Sequence, residues 1–68
     1  MNMISVASKN ISEIGYKDCT LHIRFHHGGL YAFYNVPQYV YSGLMNASSK
    51  GRYFAAHIKG RYGETRIG

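Results

Sequence analysis

Cysteine occurs once in these 68 residues, proline once and tryptophan not at all. A single thiol closes no disulfide within the chain, so no covalent staple holds the fold, and Cys19 fits a reducing, cytoplasmic interior. Acids are scarce too, three against eight Lys and Arg. So few carboxylates rarely converge on a base and a nucleophile, which argues against an enzyme. No CxxC pair is present, and the adjacent His26 and His27 point to opposite faces if they lie on a strand. Neither a metal nor another cofactor is expected. No apolar run approaches the ~20 residues of a membrane span, and no charged segment leads into a signal-like apolar stretch. Gly28 and Gly29 lack the Gly-Lys-Ser/Thr ending of a phosphate loop.

What remains is enough for a core. The chain is 46% apolar and 15% aromatic, with seven tyrosines against three phenylalanines. Tyrosine buries its ring while its hydroxyl stays wet, which suits a domain that covers only roughly 60% of its unfolded surface. The length allows one domain, residues 1–68.

Alternation dominates the first half. Ile4–Ser8 and Asn10–Lys17 read as extended segments, with Ile4 and Val6 sharing one side and Ile14 and Tyr16 another. In TLHIRF (Thr20–Phe25), Leu21, Ile23 and Phe25 face one way while His22, Arg24 and His26 face the other. The glycines of HHGG then offer positive φ for a hairpin, and Leu30–Val36 returns as the partner strand. On it Phe33 reads as core, with Tyr34 and Tyr53 the rings left exposed. Cys19 reads as a small apolar residue packed near a strand start.

Helical spacing follows. Pro37 suits a first helical position, and Val40, Tyr41, Leu44 and Met45 form an apolar stripe. Ser48 and Ser49 offer an N-cap for a second helix. The expected architecture is α+β: a small antiparallel sheet of three or more strands followed by two helices, near 37–47 and 50–62, packed on one face. An unpaired edge near the first strand would invite a second copy, so homodimer formation is expected at high concentration.

The stretch SSKGRYFAAHIKGRY (Ser48–Tyr62) carries half of the Lys and Arg. On a helical wheel Phe54, Ala55, Ile58 and Tyr62 share one arc. Arg52 and Lys59 border it on one flank, and Lys50, His57 and Arg61 on the other. Long basic stems commonly lie along such a border with their heads in water, which needs no ligand at all. With the chain at +5, the same residues also suit a polyanion. Candidate binding residues are Lys50, Arg52, Tyr53, Lys59, Arg61 and Arg66.

SKNISEIGY near the start, YAFYNVPQYVYSGLMNA in the middle and SSKGRYFAAHIKGRY with the closing Arg66-Ile67 resemble the KTSC domain. That small module is named for the C-terminus of some lysyl-tRNA synthetases and also stands alone in bacteria and their phages. The resemblance runs from about Val6 to Ile67. Its most specific parts are Val36-Pro37, Val40-Tyr41, Leu44, Gly51, Tyr53-Phe54, Ile58, Tyr62 and Arg66-Ile67. Lys17 departs from it where an acid is common, and Ala55 where Asn is common. The resemblance implies a fold and brings no established activity. Two functions follow. One is a non-catalytic module binding the RNA or DNA backbone through its basic residues. The other is a phage or mobile-element counter-defence protein, of the anti-CRISPR type, that inhibits a host protein or nucleoprotein complex.

Overall fold

The computed structural model describes residues 2–68. It consists of β1 (Ile4–Ser5), β2 (Ile11–Lys17), β3 (Thr20–Phe25), β4 (Gly29–Phe33), α1 (Gln38–Asn46), α2 (Lys50–His57) and β5 (Glu64–Arg66). The strands form one antiparallel sheet in the order β1-β2-β3-β4-β5. The α+β architecture with a meander followed by two helices is as the sequence predicts.

Leu21, Ile23 and Phe33 bury one face of the sheet, as their alternation requires. Ile11 and Ile14 are also both fully buried, although three residues apart they should face opposite ways. A register shift between Ile11 and Glu13 resolves this, because the extra residue of a bulge returns Ile11 to the core side. Val36, Val40, Leu44 and Ile58 close the core from the helical side. The other face carries the Glu13–Arg24 ion pair at 2.8 Å.

Several local expectations need correction. The first strand is only Ile4–Ser5, and Ile4 is about half exposed (48%). β4 stops at Phe33, since Asn35 takes φ 58 and turns the chain toward α1. Pro37 is the N-cap of α1 rather than its first helical residue. Of the two hairpin glycines only Gly29 has positive φ, +85, and a Cβ there would lie 2.5 Å from the Gly68 carbonyl oxygen. Cys19 is exposed: it and Asp18, at φ 62 and 51, are the two loop residues of the β2–β3 hairpin.

The largest departure lies at the C-terminus. α2 ends at His57 rather than running to Tyr62, and the chain leaves it through Gly60 at φ +75. Ile58 and Tyr62 still reach the core, Ile58 from the helix cap and Tyr62 from the following turn. Ala55, set on the apolar arc by its spacing, is exposed. The chain then returns as β5, a fifth strand with no apolar alternation to announce it. Backbone bonds extend its pairing with β4: Tyr34 N–H to the Gly63 carbonyl at 2.9 Å and Ile67 N–H to the Leu30 carbonyl at 2.8 Å.

Candidate nucleic-acid interface

The candidate residues fall into two groups at opposite ends of α2, which at ~1.5 Å per residue is about 12 Å long. Ser49 starts the helix by accepting the Arg52 backbone N–H at 3.4 Å. Lys50 is half-buried and donates its Nζ to the Ala47 carbonyl at 3.1 Å, fastening α2 to the end of α1. Arg52 projects into solvent between two clefts. One, of about 350 Å³, separates Ser8–Asn10 from Ser49–Arg52; the other, of about 360 Å³, runs past Ala47, Tyr53 and His57. Lys9 lines the first cleft opposite Lys50 and Arg52. Sequence alone does not reveal it, because only folding brings the β1–β2 connection to the start of α2.

Tyr53 does not stand free. It packs against the core, leans on His57 with ring centroids 4.5 Å apart, and covers Gly43 of α1 so closely that a Cβ there would displace the Tyr53 ring. Its expected exposure is therefore corrected. The residue joins the helices, is half-buried, and borders the second cleft.

The second group gathers where the chain leaves α2. Lys59 is exposed at the mouth of a pocket of about 220 Å³ whose walls are Phe25, Tyr31, Phe33 and Phe54, with Glu64 also at its rim. Arg61 donates its Nε to the Ala56 carbonyl at 3.2 Å, and Arg66 donates its Nε to the Gly68 carbonyl at 3.1 Å. Both remain exposed. Arg66 stands opposite Tyr31 in the β4–β5 register, which brings it to the pocket side of the sheet. Phe25 is the residue whose role the sequence hides, since its contact with Phe54 spans the sheet and α2.

Among the described residues Arg24–Glu13 is the single ion pair between side chains, so no candidate cation pairs with an Asp or Glu. No group of three or more His, Cys, Asp or Glu is placed to hold a metal among them. His22 and His26 have the i, i+4 spacing that pairs ligands on a helix. On an extended strand, however, four residues span roughly 13 Å, and the His26 Nε2 lies 3.0 Å from the Ser8 carbonyl oxygen. No helix among the described residues is long and apolar enough to cross a membrane.

A family profile of the KTSC domain matches residues 7–62. The crystal structure of a KTSC domain protein from Yersinia pestis is 38% identical in sequence and superposes with a TM-score of 0.96, covering 98% of this chain and 97% of that one. No curated protein matches the chain.

Proposed function

This chain belongs to the KTSC domain family, and we propose that it is a small non-catalytic module that binds the backbone of RNA or DNA inside the cell. The observation that carries the reading is the uncompensated charge from the start of α2 to β5. Arg52, Lys59, Arg61 and Arg66 are exposed, and none pairs with an Asp or Glu side chain among the described residues. Lys9 and Lys50 extend the same charge across the cleft at the helix start. An unpaired surface cation keeps its attraction for phosphate, whereas a paired one is already partly neutralised. Contacts of this kind position a backbone without reading sequence.

The test is a titration of labelled single- and double-stranded oligonucleotides at two salt concentrations. Affinity is expected to fall steeply with salt, because each neutralised phosphate releases condensed counterions. If no oligonucleotide binds even at low salt, the reading fails and an inhibitor or adaptor that docks on a host protein takes its place.

A further inference from the structure

Four aromatic rings close a circuit on the helical side of the sheet. Phe25 meets Phe54 edge to face at 5.3 Å between centroids, Phe54 meets Phe33 at 5.5 Å, Phe33 lies at 6.3 Å from Tyr31, and Tyr31 returns to Phe25 at 5.9 Å. Packed rings at these distances are ordinary core. They also leave a space open between them. The rings line a pocket of about 220 Å³, larger than the roughly 150 Å³ cavity that houses a benzene molecule. Only Phe33 is fully buried; Phe25, Tyr31 and Phe54 each keep part of their surface open. The pocket therefore has an aromatic floor and walls, and it opens to solvent.

Its rim is charged in a particular way. Lys59 and Glu64 stand at the mouth, and Arg66 lies beside Tyr31 across the β4–β5 ladder. The geometry points to a pocket for one unstacked base, so that the partner is a single strand rather than a duplex. This rests on the backbone-binding reading above and names its substrate class. A base held in a duplex has both faces covered by its neighbours and cannot enter. A base splayed from a single strand presents a face to Tyr31 or Phe54, as aromatic platforms in single-strand binders require. Its flanking phosphates then lie within reach of Lys59 and Arg66. The Glu64 carboxylate accepts hydrogen bonds only, so the base edge it meets must donate: cytosine does so through its 4-amino group, whereas thymine has a carbonyl at that position and donates only through N3–H.

The experiment uses the intact chain and four labelled probes: a cytosine pentamer, a thymine pentamer, a pentamer of the same backbone with every base removed, and a duplex. The cytosine pentamer is expected to bind about tenfold more tightly than the abasic pentamer at the same salt concentration. The duplex and the thymine pentamer should fall between. Tyr31→Leu should lower affinity for the cytosine pentamer by about tenfold while leaving its salt slope unchanged. Equal binding of the abasic and cytosine pentamers, or of duplex and single strand, overturns the pocket and leaves the backbone reading standing. Equal binding of the two pyrimidine pentamers overturns the contact of Glu64 with position 4 of the base. Failure of every probe overturns both readings. The comparison of probes needs no substitution, so it decides the matter even if Tyr31→Leu does not fold.

Discussion

Tyr16 and Tyr41 lie ring on ring, with centroids 4.7 Å apart and planes 9° from parallel. The stack joins β2 to α1, and the Tyr16 hydroxyl adds a 2.6 Å hydrogen bond to the Val36 carbonyl. Val36 in turn donates its backbone N–H to the Cys19 carbonyl at 2.8 Å. The β2–β3 turn, the link into α1 and α1 itself are thus fastened at one place. Burial raises the Tyr16 phenol above its ordinary 10.0, and the Cys19 side chain adds to the rise. Below pH 10 the phenol is protonated in both folded and unfolded chains. Above it the unfolded chain releases the proton first, so stability is complete below about pH 10 and declines as pH climbs toward the raised value. Tyr16→Phe should lower the urea midpoint at neutral pH through the missing hydrogen bond and flatten the alkaline decline. Urea unfolding at pH 7 and at pH 10–11 measures both.

Cys19 occupies a position that a glycine would fill without strain. Both residues of the Asp18-Cys19 turn have positive φ, the conformation for which Asp-Gly is the common choice in a two-residue hairpin. A side chain other than glycine in this region raises the energy by roughly 1–2 kcal/mol. Cys19→Gly is therefore expected to raise the melting temperature, offset in part by the greater freedom glycine gives the unfolded chain. A lower melting temperature would mean that the Cys19 side chain contributes more through Tyr16 than the turn geometry takes away.

Ile58 and Phe54 share the apolar face of α2 but not its burial. Ile58 is wholly enclosed, whereas Phe54 keeps an open edge toward the aromatic pocket. Ile58→Ala should destabilise by roughly 2–5 kcal/mol, a large part of the stability of so small a domain. Phe54→Leu, which keeps most of the apolar volume, should cost less than Ile58→Ala in the same thermal unfolding series.

That pair also marks what the sequence makes legible. Where side chains alternate or repeat at helical spacing, the elements can be read directly: Leu21 and Ile23 in β3, Val40 and Leu44 in α1. Reading fails where geometry is set by backbone alone. β5 is exposed along its whole length and is held by ladder bonds to β4, so its residues carry no pattern to find. The spacing Phe54, Ile58, Tyr62 suggests a continuous helix, but α2 ends at His57 and Tyr62 reaches the core from the turn beyond it. The basic residues of the candidate interface are visible in sequence. Lys9 and the Phe25 wall are not, because each meets its partners only across the folded chain.

Self-association should be weak and confined to the β1 edge. That edge is two residues long, and Ile4 exposes 48% of its surface on it. Short edges limit strand pairing, and an inserted charge blocks it. Light scattering is expected to show monomer at low concentration with a rising dimer fraction above it, and Ile4→Lys should abolish the rise. A rise that survives the substitution would place the contact elsewhere.

The candidate cations divide by what their nitrogens already hold, and this separates binding from folding. Lys50, Arg61 and Arg66 each donate to a backbone carbonyl, while the side chains of Arg52 and Lys59 have no hydrogen-bond partner among the described residues. Changing Arg52 and Lys59 together to Gln should leave stability within about 0.5 kcal/mol, as is usual at exposed positions. The same change should make the salt dependence of single-strand binding shallower by roughly 0.7 for each phosphate that is no longer neutralised. Changing Lys50, Arg61 and Arg66 to Gln should reduce the salt slope as well, but with a measurable fall in stability, because the helix-end carbonyls of Ala47 and Ala56 and the Gly68 carbonyl beyond β5 are deprived of their donors. Circular dichroism melts and oligonucleotide titrations on the two variants test the division. An unchanged salt slope in the Arg52/Lys59 variant would show that these two side chains do not meet the backbone, and the binding surface would then have to be sought on the opposite face of the sheet.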